Sequence, residues 1–290
     1  MTKNNSQTNE LRLPGTGIEL SACQWNLDQN QNFVALHGWL DNAASMEPLA
    51  KQLNQLQIVA PDLAGHGRSD FRSAESNYDL VTDVADISAL SNHLDWDKFG
   101  LIGHSRGAMI AALYAATFPE QITHLILIDG GAPREFDSAD RPAKLARAIR
   151  EQAIHLNRQG SRFNTREAAL KARSSGFVPV DHAIADLLAT RSLVNEGGNY
   201  YWRADQRLKA GSLSPLDKET MRGFFAAIQC PVLQLVGEQG LLHDYQDYAG
   251  PVNLIKDFER VSLPGDHHLH ISKVESVSSA INAWLERKAG

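Results

Sequence analysis

Short apolar runs alternate with amphipathic stretches along most of the chain. Several of these runs contain almost no polar residue, a pattern typical of strands in a parallel sheet that is buried on both faces. We predict six such strands, at residues 33–38, 56–61, 99–104, 124–129, 231–237 and 258–265.

Apolar side chains recur at helical spacing between these strands. The two clearest helical faces comprise Leu80, Val84, Ile87 and Leu94 in one case, and Ile271, Val274, Val277, Ile281 and Leu285 in the other. Alternation of strands and helices predicts an α/β fold with a doubly wound, mostly parallel sheet. Ligands of such sheets bind beyond the carboxyl ends of the strands.

One long segment, residues 131–221, interrupts this alternation because it shows helical patterns and no convincing strand. Asn164 with Glu167 three residues later matches the pattern of a capping pair, and Asp181 is placed to cap a second helix. An insertion after the carboxyl end of a strand lies over the edge of the sheet at which ligands bind. We therefore predict a helical cap (lid) at 131–221, inserted in a core formed by 1–130 and 222–290.

The composition narrows the possible partners. The chain has 290 residues, of which 43% are hydrophobic and 21% charged, and its net charge is −6. These values are ordinary for a soluble globular protein. A negative net charge does not favour binding to nucleic acid or to an anionic membrane. We expect a small-molecule substrate as the partner, with no nucleic acid and no membrane insertion.

The sequence also predicts a cytoplasmic location. The polar opening MTKNNSQTNE lacks the apolar core of a secretory signal. The longest uncharged apolar-rich run, 107–118, is too short to span a bilayer. The chain has two cysteines, Cys23 and Cys230, which argues against a disulfide scaffold and favours a reducing compartment.

The pentapeptide GHSRG at 103–107 separates a predicted strand from a predicted helix. Gly and Ser are common in ordinary turns. However, a Gly-x-Ser-x-Gly between a strand and a helix is also the pattern of a nucleophile elbow, in which the serine hydroxyl is exposed on a strained turn. The following helix directs free N–H groups towards that hydroxyl. We predict that Ser105 is a nucleophile on such an elbow.

Acyl transfer at Ser105 would need two N–H donors for the oxyanion, one beside the nucleophile and one in the loop after an earlier strand. Arg106 follows the serine, and Trp39 lies in the sequence His37-Gly38-Trp39 after a predicted strand. We predict that the backbone N–H groups of Trp39 and Arg106 form the oxyanion hole. The alternative for Trp39, packing under the cap, uses its side chain and is compatible with this role.

Histidines cluster in the loop after the last predicted strand, PGDHHLH at 264–270. His267, directly after a Gly-Asp turn, is the best candidate for a general base. The spacing of His268 and His270 lacks a matched carboxylate or a second ligand pair, so we expect no metal. We expect these two residues, together with His104 and His66, to pack or to form structural hydrogen bonds.

From about residue 30 onwards the chain resembles the α/β-hydrolases of the serine hydrolase-like group. The resemblance is carried by HGWLDNAAS, PDLAGHGRSD, GHSRG, LILID, YYWRADQRLK and LPGDHHLH. It implies that Ser105 and His267 are nucleophile and base, that no cofactor is needed, and that the substrates are esters or related acyl compounds.

The chain departs from the family pattern at the acid of the triad. Many members place this acid three residues after the glycine that ends the next-to-last core strand, and here Gly240 occupies that position. We predict that Asp129 replaces it, because Asp129 ends the strand after the elbow, and successive strands are usually neighbours. Glu238 is the second candidate and Asp244 the third. The alternative role for Asp129 is capping before Gly130.

These observations predict a serine hydrolase that cleaves a small, largely apolar ester or thioester through an acyl-enzyme on Ser105. Hydrolysis of C–C bonds and perhydrolysis would use the same residues and remain alternatives. Asp at the nucleophile position is typical of dehalogenases and epoxide hydrolases, which Ser105 therefore disfavours. A non-catalytic, ligand-binding hydrolase fold is the other alternative, favoured only by the displaced acid.

Overall fold

A twisted eight-stranded sheet forms the centre of the protein. The structure is a computed structural model that describes residues 8–176 and 178–288. The strands of the central sheet are β1 (Asn9–Pro14), β2 (Glu19–Trp25), β3 (Gln31–Leu36), β4 (Leu56–Pro61), β5 (Phe99–His104), β6 (Ile122–Ile128), β10 (Val232–Gln239) and β11 (Phe258–Asp266). Their order is β1-β2-β4-β3-β5-β6-β10-β11.

All six strands predicted from the apolar runs belong to this sheet and pair in parallel. The prediction of a doubly wound, mostly parallel sheet is thus confirmed. The first predicted strand, at 33–38, was placed two residues too late, since β3 covers Gln31–Leu36. The apolar-run criterion missed β1 and β2, which form an antiparallel hairpin at the sheet edge.

Helices cover both faces of the sheet. The helices of the central unit are α1 (Glu47–Gln52), α2 (Leu80–His93), α3 (Arg106–Thr117), α7 (Lys218–Ala227), α8 (Leu241–Asp244), α9 (Leu269–Ser272) and α10 (Val274–Lys288). Side chains of α2, α3 and α7 contribute to the hydrophobic core on one face. Those of α1 and α10 contribute to the core on the other face.

The inserted segment, residues 131–221, lies in the chain between β6 and β10. It contains α4 (Arg141–His155), α5 (Arg166–Ser174) and α6 (His182–Ser192), together with the short strands β7 (Arg162–Phe163), β8 (Leu193–Glu196) and β9 (Asn199–Trp202). The three strands form a small antiparallel sheet in the order β7-β9-β8. The prediction that this segment lacks strands was therefore wrong, because these strands are too short to give a periodic pattern.

Two further details of the inserted segment differ from the sequence predictions. The residue that caps α5 is Thr165, whose hydroxyl accepts from the N–H of Ala168, and not Asn164. The boundary at Met221 falls inside α7, whose buried residues Met221 and Phe225 pack into the core. Asp181 does precede α6, but without a capping hydrogen bond from its side chain.

No helix in the described part of the chain is both long and apolar enough to cross a membrane.

Candidate active site

Ser105 occupies the turn between β5 and α3. Its backbone dihedrals, φ 53° and ψ −115°, lie in a region that L-residues rarely adopt. Its N–H donates to the carbonyl of Ile128 at 3.0 Å. A Cβ at Gly103 would overlap the carbonyl of Gly107, and one at Gly107 would overlap that of Leu36. The tight turn thus depends on both glycines of the Gly-x-Ser-x-Gly sequence.

The N-terminus of α3 lies directly beside Ser105. Arg106 is the first residue of the helix, so its N–H has no acceptor within the helix. The Arg106 side chain turns away and its guanidinium donates to Asp83 at 2.5 Å. Trp39 lies in the loop after β3, and both Trp39 and Arg106 line the same cavity as Ser105. The indole of Trp39 donates to the carbonyl of Leu208 at 2.8 Å.

His267 and Asp129 form a buried pair at the same edge of the sheet. Nδ1 of His267 lies 2.6 Å from Oδ2 of Asp129. Since a carboxylate only accepts, Nδ1 carries the proton and Nε2 is left as an acceptor. The Asp129 carboxylate also accepts from the backbone N–H groups of Leu241 at 2.6 Å, Gly237 at 3.3 Å and Leu242 at 3.4 Å. These donors fix the position of the carboxylate.

The geometry around Gly240 accounts for the departure from the family pattern. A Cβ at Gly240 would lie 2.5 Å from both carboxylate oxygens of Asp129. Glu238 is exposed, and Asp244 is exposed and contacts His243 at 3.0 Å. Of the three candidate acids, Asp129 is the one that contacts His267 within the described residues. The carboxylate of Asp129 therefore occupies the space that a side chain at position 240 would fill.

The other histidines of the cluster have different partners. Nε2 of His104 donates to the carbonyl of His267 at 2.8 Å, and Nε2 of His268 lies 3.2 Å from Oδ2 of Asp41. Both nitrogens of His270 are buried without a hydrogen-bond partner in the described structure, and burial lowers the pKa of this ring to about 3. His270 is therefore a neutral packing residue at ordinary pH.

His66, outside this loop, is a buried hydrogen-bonding residue as expected. Its Nδ1 lies 3.0 Å from the carbonyl oxygen of Ala64. Burial, reinforced by the neighbouring His37 ring and Arg106, lowers the pKa of His66 well below its usual range. His66 is therefore neutral at ordinary pH, and its Nδ1 carries the proton that it donates to Ala64.

Ser105 and His267 open into a cavity of about 1010 Å³ between the sheet edge and the inserted segment. This volume is at the upper end of the range for small-molecule sites. Its apolar lining includes Leu40 and Met109 from the central unit and Phe163, Val178, Trp202 and Leu208 from the segment between β6 and β10. The inserted segment therefore supplies much of the apolar wall.

Buried polar contacts attach the inserted segment to the central unit. The guanidinium of Arg191 in α6 donates to both carboxylate oxygens of Asp62 at 2.8–3.1 Å. Arg173 in α5 donates to Oδ1 of Asp41 at 2.7 Å. The sequence did not single out Asp41, Asp62, Arg173 or Arg191 as site residues. It did contain a signal for the two aspartates, since HGWLDNAAS and PDLAGHGRSD each place an aspartate in the loop after a buried strand.

Comparisons with known proteins agree with this architecture. The family model described as alpha/beta hydrolase fold matches residues 31–274. A serine hydrolase-like protein of Danio rerio is 27% identical over 96% of this chain and 88% of its own length.

Two solved structures are similar over nearly the whole chain. A hypothetical protein from Pseudomonas aeruginosa PAO1 has a TM-score of 0.89 and 35% identity, covering 96% of this chain and 99% of its own. A thioesterase domain from the curacin biosynthetic pathway, 24% identical, has the same fold with a TM-score of 0.81 and covers 95% of this chain and 99% of its own. The chain therefore belongs to the α/β-hydrolase fold family, as a hydrolase similar to its serine hydrolase-like members.

Proposed function

We propose that the protein is a serine hydrolase that cleaves a small, largely apolar ester or thioester, with Ser105 as nucleophile, His267 as base and Asp129 as the acid of the triad. The observation that carries this proposal is the 2.6 Å contact between Asp129 and His267 beside the strained turn at Ser105. A serine, an oriented imidazole and a buried carboxylate at one cavity are the parts that acyl transfer requires.

The first half-reaction forms the acyl-enzyme. Nε2 of His267 takes the hydroxyl proton of Ser105 while Oγ attacks the carbonyl carbon. The backbone N–H groups of Trp39 and Arg106 hold the negative charge that develops on the carbonyl oxygen. His267 then gives its proton to the leaving alcohol or thiol, and the bond to the leaving group breaks.

Water completes the reaction. His267 accepts a proton from a water molecule, the water oxygen attacks the acyl carbon, and the proton returns to Oγ as the carboxylic acid leaves. Throughout, Asp129 fixes the tautomer of His267 and stabilises the imidazolium. No cofactor takes part in this mechanism.

The apolar wall supports the choice of substrate class. Side chains from the inserted segment, among them Phe163 and Trp202, face the cavity that contains Ser105. We assign this segment the role of a cap that limits the length of the acyl chain. Phe163→Ala should shift the preferred chain length upwards, whereas Leu145→Ala, at an exposed site in α4 outside the cavity lining, should leave it unchanged.

A panel of p-nitrophenyl and thiol esters of graded acyl length tests the proposal. Wild type should hydrolyse the short and medium members, and Ser105→Ala should lose this activity. Equal rates in wild type and Ser105→Ala would contradict the proposal. Folded wild type without turnover on any member would favour a ligand-binding role for the cavity.

A further inference from the structure

We propose that Asp41, His104 and His268 form a binding site for a divalent transition-metal ion, with zinc as the reference ion. The sequence disfavours a metal because the two histidines of His-x-His lack a carboxylate at a recognisable spacing. The fold supplies that carboxylate from Asp41, 227 residues before His268. It also replaces His270 with His104 as the second imidazole.

The three ligand atoms lie close to the separation that a metal ion requires. They all lie within 4.8 Å of one another and are buried. Oδ2 of Asp41 is 3.2 Å from Nε2 of His268 and 3.8 Å from Nδ1 of His104. Ligands at a tetrahedral centre with bonds of about 2.0–2.1 Å are roughly 3.4 Å apart. Small side-chain movements would bring all three atoms to bonding distance.

The protonation of His104 points to a cation. Its Nε2 donates to the carbonyl of His267, so its Nδ1 carries a lone pair. Nδ1 is buried without a hydrogen-bond partner among the described residues, and it faces Oδ2 of Asp41, which is also an acceptor. Two acceptors facing each other in a buried site are unfavourable. A metal ion would bond both, and the bond from Nε2–H to a backbone carbonyl is the usual support for a metal-bound histidine.

Gly38 leaves the space beside these atoms open. A Cβ at this position would lie 2.9 Å from Nδ1 of His104 and 3.3 Å from Oδ2 of Asp41. Any larger residue would therefore crowd the two ligand atoms. Asp41, His104 and His268 also line the cavity, which gives an ion a route to the site. Three protein ligands with one position open to a cavity are a common arrangement for zinc.

Arg173 contacts the other oxygen of the Asp41 carboxylate. Its guanidinium donates to Oδ1 at 2.7 Å. Oδ2, which faces His268 and His104, is the oxygen that an ion would bind. The ion would replace the proton between Nε2 of His268 and this oxygen, since a histidine binds a metal through a deprotonated ring nitrogen.

Direct binding measurements test this site without reference to hydrolysis. Metal-free, full-length protein is dialysed against Zn²⁺, and the bound metal is measured by inductively coupled plasma mass spectrometry. We expect one zinc ion per chain in wild type and in Ser105→Ala. Asp41→Asn and His268→Gln should bind zinc with an affinity at least tenfold weaker. Co²⁺ should give the visible absorption of a tetrahedral site in wild type and lose it in both ligand variants.

Exposed histidines provide the matched control. His182 and His243 each lie beside a carboxylate, at 3.2 Å from Glu167 and 3.0 Å from Asp244. The double variant His182→Gln/His243→Gln should keep the bound equivalent. Absence of binding in wild type, or its loss in the double variant but not in Asp41→Asn and His268→Gln, would overturn the proposal. If Asp41→Asn does not fold, His268→Gln and the wild-type Co²⁺ spectrum decide.

Discussion

Asp129 and His267 are 138 residues apart in the sequence, yet Oδ2 of the carboxylate lies 2.6 Å from Nδ1 of the imidazole. Asp129 directly follows β6, and its φ of 43° lies in the left-handed region. The positive φ and the backbone N–H of Leu241 hold the side chain towards the loop that carries His267. The pair is buried, so its orientation is fixed by protein groups.

This contact predicts the effect of removing the charge. Asp129→Asn should lower kcat for ester hydrolysis on the order of 10⁴-fold, because the amide no longer fixes the tautomer of His267 or stabilises its charged form. Glu238→Gln is the matched control, since Glu238 is exposed, whereas the carboxylate of Asp129 contacts His267. Steady-state kinetics with a p-nitrophenyl ester would measure both. A larger loss in Glu238→Gln than in Asp129→Asn would transfer the role of the acid to Glu238.

Gly240 provides a second test of the same arrangement. In Gly240→Ala the new Cβ would lie 2.5 Å from both oxygens of Asp129 and displace the carboxylate. A displacement of about 1 Å should reduce kcat on the order of 10²-fold. Gly223→Ala is the control, because among the described residues nothing outside the local backbone of α7 lies within 4 Å of its Cβ position. That variant should keep full activity and gain about 0.5–1 kcal/mol in the free energy of unfolding; equal kinetics in the two variants would contradict the steric argument.

The link between α6 and the central unit should matter for stability. Arg191→Met would leave the fully buried carboxylate of Asp62 without its cation, which should reduce the free energy of unfolding by about 3–5 kcal/mol. Arg162→Met removes an exposed ion pair with Glu196 and should cost at most about 1 kcal/mol. Urea unfolding followed by circular dichroism compares the two. Similar losses would show that the buried contact does not anchor the segment.

Buried histidines predict a loss of stability in acid. The pKa of His270 falls from 6.5 to about 3 on folding, so below pH 6.5 the unfolded chain binds a proton that the folded protein does not. The free energy of unfolding therefore decreases as the pH falls from 6.5 towards 3. For His270 alone, the loss between pH 6.5 and 5 should be about 2 kcal/mol.

His270→Leu tests this assignment. The variant removes the titrating ring from a site where neither ring nitrogen has a hydrogen-bond partner in the part of the chain that the structure describes. Urea unfolding at several pH values should show a shallower pH dependence in the variant than in wild type. Parallel curves for the two proteins would assign the acid sensitivity to other groups.

The apolar runs were sufficient to predict the parallel strands, because a strand buried on both faces needs apolar side chains at nearly every position. The edge strand β1 escaped this criterion, since its burial alternates and only Leu13 is fully buried. The strands β7 to β9 have two to four residues each and form only by pairing with one another. Short pairings of this kind depend on tertiary contacts that a local pattern does not contain.

The candidate site likewise combines residues that the sequence could identify with contacts that it could not. Ser105 and His267 were recognisable because the elbow and the late histidine loop are local in sequence. Asp129 could be proposed from the order of the strands. The contacts of Asp41 with Arg173 and His268 join residues more than 130 positions apart, and no spacing rule relates them.

The central claim is that Ser105 is the covalent nucleophile, and labelling with a fluorophosphonate probe tests it most directly. Folded wild type should gain the mass of one phosphonyl group, since fluoride leaves the probe in the reaction. Peptide mapping should place this group on Ser105. The presence of an ester that the protein hydrolyses should slow the labelling. Ser105→Ala should remain unlabelled. Equal labelling of wild type and Ser105→Ala, or a probe mapped to another residue, would contradict the account.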